Sequence, residues 1–128
     1  MDRFKFRVWN SKTKKYRDDI YLNHCGNTFI IPVEFGVILS PRFVNNIIIE
    51  QCLGITDVNK KLVFEGDVLE DKKGRRGYVY WDNEWSCYEI DFINNTFSIS
   101  VYDWIWDKGY GTKVIGNIHE NPELLEDK

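Results

Sequence analysis

The sequence predicts a mainly β protein, either a small curled antiparallel sheet or an SH3-like barrel, with a short C-terminal helix. Aromatic residues make up 16% of the chain, and such residues favour the pleated, half-buried surface of a strand. Apolar and polar side chains alternate over several short runs, which is the period of a strand. Turn residues separate those runs at short intervals, as in small barrels and curled sheets.

The size and charge of the chain restrict its class. Its 128 residues fit a single domain spanning 1–128, because a chain of this length buries about two-thirds of its unfolded surface. The net charge of −3 differs from the basic charge of a general nucleic-acid binder.

The three cysteines, Cys25, Cys52 and Cys87, have no CxxC spacing and predict reduced thiols. No signal peptide or membrane-spanning segment is recognisable, so we expect a soluble protein of the cytoplasm.

The N-terminal half reads as short strands. The first run alternates apolar and basic side chains, and a polar turn at 10–15 joins it to a second run as a hairpin. Pro32 and Gly36 interrupt the region that follows, which is typical of an edge strand or a bulge. The predicted strands are residues 3–9, 16–22, 28–31, 33–39 and 47–53.

The C-terminal half reads as a β-meander that ends in a helix. Asn121 can cap a helix, Pro122 suits its first position, and Glu123 suits its positive end. We therefore predict a short helix over 120–126 whose two leucines dock on the sheet. The predicted strands are residues 62–64, 68–70, 77–82, 85–92, 97–106 and 113–118.

A basic hairpin tip is the first candidate site. Four cations flank Gly74 and could contact the phosphates of nucleic acid, namely Lys72, Lys73, Arg75 and Arg76. Tyr78 and Tyr80 share one strand face and Trp81 takes the other. The alternative is a solvent-exposed turn in which lysine and arginine only keep the hairpin tip soluble. A second basic set, on the first hairpin, would extend a phosphate-binding face if it were coplanar with the tip: Arg3, Lys5, Arg7, Lys12, Lys14, Lys15 and Arg17.

An aromatic run supplies the second candidate site. Trp104 and Trp106 alternate with Ile105 in the predicted strand 97–106, flanked by Tyr102 and Tyr110. These rings form either one face of a buried strand or an exposed ladder at a protein interface, where Trp and Tyr concentrate binding energy. We expect these rings to serve self-association or contact with a protein partner.

Catalysis has little support in the sequence. His24 and His119 lie far apart in the sequence. No metal-ligand spacing such as DxD, HxH or HExxH occurs. We expect no catalytic residue, metal or cofactor, and therefore no enzyme. A metal-dependent hydrolase remains a third interpretation, resting on Asp57, Glu65, Asp67, Asp82, Glu84, Glu89 and Asp91.

Three segments together resemble the YopX family of small proteins encoded in phages and prophages. They are KFRVWNSKTKKY at 5–16, GITDVNKKLVFEGDVL at 54–69 and VIGNIHENPELLE at 114–126. The resemblance implies a mainly β fold with a small SH3-like or similarly curled barrel. It also implies a homo-oligomer, with a phage or host protein as a further candidate partner, but it implies no activity. The chain departs from the family pattern at 59–61, where a glycine is usual, and we expect this departure to reshape the turn.

Overall fold

The computed structural model describes residues 5–30, 33–34, 36–38, 42–95 and 99–126. The mainly β class is confirmed, as a curled antiparallel sheet with a second sheet and one short α-helix. The strands are β1 Phe6–Asn10, β2 Lys15–Arg17, β3 Tyr21–Leu22, β4 Thr28–Ile30, β5 Val33–Glu34, β6 Val37–Ile38, β7 Arg42–Phe43, β8 Ile47–Thr56, β9 Leu62–Phe64, β10 Asp67–Glu70, β11 Arg76–Asp82, β12 Cys87–Phe92 and β13 Lys113–Asn117. Helix α1 is Val101–Trp106, and 3₁₀ turns lie at Ile93–Asn95, Lys108–Tyr110 and Pro122–Leu125.

The chain divides into two compact units. One unit is residues 7–49, and the other is residues 50–128 together with residues 1–6. The single domain over 1–128 stays a prediction.

The unit of residues 7–49 contains the predicted first hairpin. Strands β1 and β2 pair antiparallel, with Trp9 opposite Tyr16. The two rings make an edge contact, with centroids 5.0 Å apart, and the Arg7 guanidinium lies 5.1 Å from the centre of the Tyr16 ring. Val8 and Trp9 are both buried although they point to opposite faces, so this part of β1 is covered on both sides.

Short pairings make up the rest of that unit. Strands β3, β4 and β7 form an antiparallel sheet, and β5 and β6 form a hairpin. The predicted strand 33–39 is therefore two shorter strands, because Gly36 adopts a φ of 77° between them. Only glycine takes this left-handed conformation without a steric cost.

In the other unit, four strands form an antiparallel sheet in the order β12-β11-β10-β13. The chain turns from β9 into β10 through Gly66, which has a φ of 82°. The register of β10 against β13 shifts opposite Gly116. A Cβ atom at Gly116 would lie 2.5 Å from Asn121 Oδ1.

The hydrophobic core of this unit lies between the sheet and helix α1. Trp104 is fully buried, and its indole makes an edge contact with Phe92 at a centroid distance of 4.9 Å. Two large rings in such contact contribute more than their buried area alone. The core comprises Leu53, Val63, Leu69, Val79, Phe92, Val101, Trp104 and Ile105.

One predicted element is wrong, and a second has the predicted position but a different helix type. The predicted strand 97–106 is helical from Val101 to Trp106, and residues 97 and 98 lie outside the described residues. The predicted C-terminal helix is a single 3₁₀ turn, Pro122–Leu125, and the Asn121 side chain does not cap it. Asn121 Oδ1 instead accepts a hydrogen bond from the Asn117 backbone N–H at 3.2 Å. Among the described residues, no helix is long and apolar enough to cross a bilayer.

Candidate functional site

Helix α1 separates the aromatic residues that the sequence grouped together. Ser100 Oγ accepts the backbone N–H of Asp103 and thereby begins the helix. The helical period places Trp104 in the core, whereas Tyr102 and Trp106 point outward with 43% and 79% of their surfaces exposed. Exposed aromatic side chains on a rigid element are suited to binding.

The two exposed rings border a depression of about 270 Å³. Ile105 and Lys108 complete its helical side, and residues 54–56 of β8 form the opposite side. Strand β8 bulges there, since its pairing with β9 shifts between Cys52 and Thr56. A bulge re-aims the backbone and side chains around it, so the depression depends on a local irregularity of the sheet. We call Tyr102, Trp106 and this depression the aromatic surface.

Of the four residues of the predicted interface, only Tyr102 and Trp106 lie on the aromatic surface. Trp104 is fully buried and cannot take part in a contact with another molecule. Tyr110 lies in the following 3₁₀ turn and lines a different depression, beside the basic tip. The sequence did contain a signal for the helix, because Ser100 followed three residues later by Asp103 is a capping pattern.

The basic tip is the connection between β10 and β11, as predicted, and a buried carboxylate organises it. Asp71 Oδ1 accepts the backbone N–H groups of Lys73 and Arg75, at 2.9 and 3.0 Å. Asp71 Oδ2 accepts Arg75 Nε at 2.6 Å and the indole N–H of Trp104 at 3.3 Å. Burial by itself would raise the pKa of Asp71, but these hydrogen bonds together hold it below its ordinary value.

Two of the four tip cations have intramolecular partners. Arg75 pairs with Asp71 and lies over the Tyr110 ring, 5.7 Å from its centre, and Arg76 pairs with Glu70. Lys72 and Lys73 are exposed and have no ion-pair partner among the described residues. Both line a shallow depression of about 200 Å³ together with Arg75 and Tyr110. The tip thus presents two lysines to solvent, and its arginines stabilise the turn.

The aromatic residues after the tip are placed as predicted. Tyr78 and Tyr80 share one face of β11, with ring centroids 6.1 Å apart. Trp81 lies on the opposite face, where it makes an edge contact with Tyr88 of β12 at 4.9 Å. Within the other unit, Arg17 of the second basic set pairs with Asp19.

The sequence did not predict one acid–base pair of the structure. Glu50 and His119 are 69 residues apart, and their Oε2 and Nε2 atoms lie 3.2 Å apart. Glu50 is buried, and a Cβ atom at Gly66 would lie 2.0 Å from its Oε2. This packing explains why a glycine precedes Asp67. Within the described ranges, no group of three or more His, Cys, Asp or Glu side chains is placed to hold a metal ion.

The fold and these surfaces define a small, mainly β protein whose exposed features are aromatic and basic side chains on rigid elements. The chain belongs to the YopX family, since the family described as YopX protein matches residues 5–126. The resemblance inferred from the three sequence segments is thereby confirmed.

Two solved structures share the fold. Protein EF1440 from Enterococcus faecalis has a TM-score of 0.61 and 26% identity, over 95% of this chain and 97% of that chain. Protein YopX from Bacillus subtilis has a TM-score of 0.61 and 17% identity, over 97% of this chain and 99% of that chain. No match was found among curated protein sequences.

Proposed function

We propose that this chain is a non-catalytic interaction module that self-associates through the aromatic surface. We further propose that it is an accessory protein of a phage or prophage and acts in the cytoplasm of the host cell. Membership of the YopX family supports the second part. The exposure of Trp106 supports the first part and carries the proposal.

Trp106 is 79% exposed, so its indole buries little apolar surface within its own chain. Burying a large apolar side chain contributes about 1.5–3 kcal/mol, so an interface that covers Trp106 gains this free energy once on each side. Tryptophan and tyrosine are also the residues most enriched among interface residues that dominate affinity.

The geometry favours a second copy as the occupant. In a two-fold interface, residue i of one copy contacts residue j of the other, and the reverse contact also forms. Trp106 projects beside a depression that it partly lines. A projecting ring and a receiving depression on one surface are what such a self-complementary contact needs.

Sedimentation velocity over a concentration series tests this proposal. We expect the wild type to form a dimer and Trp106→Ala to weaken dimerisation at least about tenfold, which corresponds to about 1.4 kcal/mol. Trp85→Ala is the matched control, because Trp85 is 73% exposed but lies in the turn between β11 and β12. A monomeric wild type at about 100 µM, or an equal loss in the Trp85 variant, would refute the aromatic surface as the interface.

Weak nucleic-acid binding by the basic tip is the second candidate function. The exposed Lys72 and Lys73, beside a depression that Tyr110 also lines, favour it. Because Arg75 and Arg76 already have acidic partners, we expect phosphate contacts from the two lysines only.

Fluorescence anisotropy with labelled single-stranded DNA tests the second candidate. Replacing both tip lysines by alanine should weaken binding and lower the slope of log K against log salt concentration by about 0.7 per lost phosphate contact. The double variant Lys60→Ala/Lys61→Ala is the matched control, since it removes two exposed lysines from another turn. Equal losses in both variants would show that only general charge matters.

A further inference from the structure

Strand β12 is an edge of its sheet. It pairs with β11 along six registered positions, from Asp82 opposite Cys87 to Gly77 opposite Phe92. In an antiparallel strand, alternate N–H and C=O groups point to each side. Over 87–91, the groups that point away from β11 make no backbone hydrogen bond to any of the described residues. Such an edge can accept an additional strand.

The side chains beside this edge are acidic on the outer face of the sheet. Glu89 and Asp91 alternate along β12, and Asp82 lies opposite its first residue. Tyr80 donates its hydroxyl to Glu89 at 2.9 Å. Within the part of the chain that the structure describes, none of these three carboxylates has a cationic partner.

The charge at this edge also affects a neighbouring tyrosine. The hydrogen bond to Glu89, together with burial and the nearby carboxylates, raises the pKa of Tyr80 to about 12. This shift is the expected response of a phenol to negative charge around it. The acidic character of the outer face itself follows from the positions of Asp82, Glu89 and Asp91.

The inner face of the same edge is apolar. Tyr88 and Ile90 pack against the core, and Trp81 continues this row with 42% of its surface exposed. A second copy of β12 fits poorly here. Antiparallel pairing about Ile90 would place Glu89 of one copy opposite Asp91 of the other, and like charges in directly opposed positions destabilise a sheet.

We propose that the edge of β12 binds an extended segment of a partner protein in which lysine or arginine alternates with apolar residues. The backbone of the segment would extend the sheet. Its basic side chains would face Glu89 and Asp91, and its apolar side chains would continue the row of Tyr88 and Trp81. The proposal uses none of the residues that define the aromatic surface and does not depend on self-association.

Isothermal titration with a synthetic peptide of about seven residues, the length of an ordinary strand, tests the proposal on the intact protein. Lysine alternates with valine in the probe peptide, and glutamate replaces lysine in a second peptide. A third peptide keeps the lysines but is N-methylated at every amide, so it cannot donate backbone hydrogen bonds. We expect only the first peptide to bind, and we expect added salt to weaken it.

Charge reversal in the protein locates the site. The double variant Glu89→Lys/Asp91→Lys should bind the lysine peptide at least about tenfold more weakly and should now bind the glutamate peptide. Asp18→Lys/Glu126→Lys is the control, because it makes the same change in net charge at two exposed positions that lie outside β11, β12 and the turn between them. Trp106→Ala should leave peptide binding unchanged.

Each other outcome overturns the proposal. Absence of binding by the lysine peptide at millimolar concentration would show that the edge accepts no strand of this chemistry. Equal binding of the N-methylated peptide would show that the edge hydrogen bonds play no part. Equal weakening in the control variant would show that the site is not β12.

Discussion

One carboxylate, that of Asp71, joins the basic tip to the aromatic core. Its side chain is 1% exposed, and it accepts hydrogen bonds from the tip backbone, from Arg75 and from the buried Trp104. A buried charge is tolerated only when it is paired and fully hydrogen-bonded. Arg75 is therefore the counter-ion of Asp71. This structural role leaves less of its guanidinium available to contact a ligand.

Replacing Asp71 by asparagine should lower the free energy of unfolding at pH 7 by about 2–4 kcal/mol. The substitution keeps the size of the side chain but leaves the Arg75 guanidinium without its buried partner, and breaking a buried pair is costly. Urea unfolding followed by circular dichroism measures this change. Asp19→Asn is the matched control, because Asp19 pairs with Arg17 at the surface, and we expect it to cost less than about 1 kcal/mol.

The pH dependence of stability should identify the same group. The folded state lowers the pKa of Asp71, so its contribution is fully present above the ordinary carboxyl pKa of about 4 and disappears as the pH falls through the lowered value. The stability difference between wild type and Asp71→Asn should therefore shrink as the pH is lowered from about 5 to 2. A difference that stays constant over this range would contradict the assignment.

Three turns of the chain share one five-residue design, at 23–27, 57–61 and 71–75. In each, the side-chain oxygen of the first residue accepts the backbone N–H groups of the third and fifth residues. The fourth residue has a positive φ, which is 82° at Gly26, 64° at Lys60 and 78° at Gly74. The departure from the family pattern at 59–61 thus places a lysine in the conformation that glycine takes in the other two turns.

Lys60→Gly should raise the free energy of unfolding by about 0.5–1 kcal/mol. A residue with a Cβ atom pays about 1–2 kcal/mol in the left-handed conformation, and glycine does not, although its unfolded state has more entropy. Lys60→Ala is the matched control and should be nearly neutral, because alanine keeps the Cβ atom. Urea unfolding of both variants measures the difference, and a destabilised glycine variant would contradict the assigned conformation.

At the scale of the whole molecule, the core decides which aromatic residues remain available for binding. Trp104 and Trp106 are two positions apart in the sequence, yet one is fully buried against Phe92 and the other is 79% exposed. Only the first contributes to the packing of the unit that contains the sheet and α1. Binding experiments must therefore change Trp106 and leave Trp104 intact.

Trp104→Ala should destabilise the protein by about 3–5 kcal/mol, the usual cost of removing a large aromatic residue from a core. It also removes the indole donor to Asp71. Trp106→Ala should change the free energy of unfolding by less than about 0.5 kcal/mol, as expected at the surface. Thermal unfolding of both variants at one protein concentration tests this contrast, and similar losses would contradict the helical assignment.

The sequence by itself determined the mainly β class, the first hairpin, the connection at the basic tip and the family. Alternation predicted the hairpin of β1 and β2 and the faces of Tyr78 and Trp81, because a strand repeats every two residues and each repeat is local. The basic tip was correctly placed as a connection between strands, because its glycine and charges are typical of a turn.

The tertiary structure decided the partners of the charged residues, and it decided the state of residues 101–106, for which the sequence held only the capping pattern of Ser100 and Asp103. Six residues are too few to distinguish a period of 2 from one of 3.6, so packing of Trp104 against Phe92 selects the helix. The pair formed by Glu50 and His119 likewise depends on residues far apart in the chain. Such contacts form only when distant segments pack together, so a local sequence pattern does not predict them.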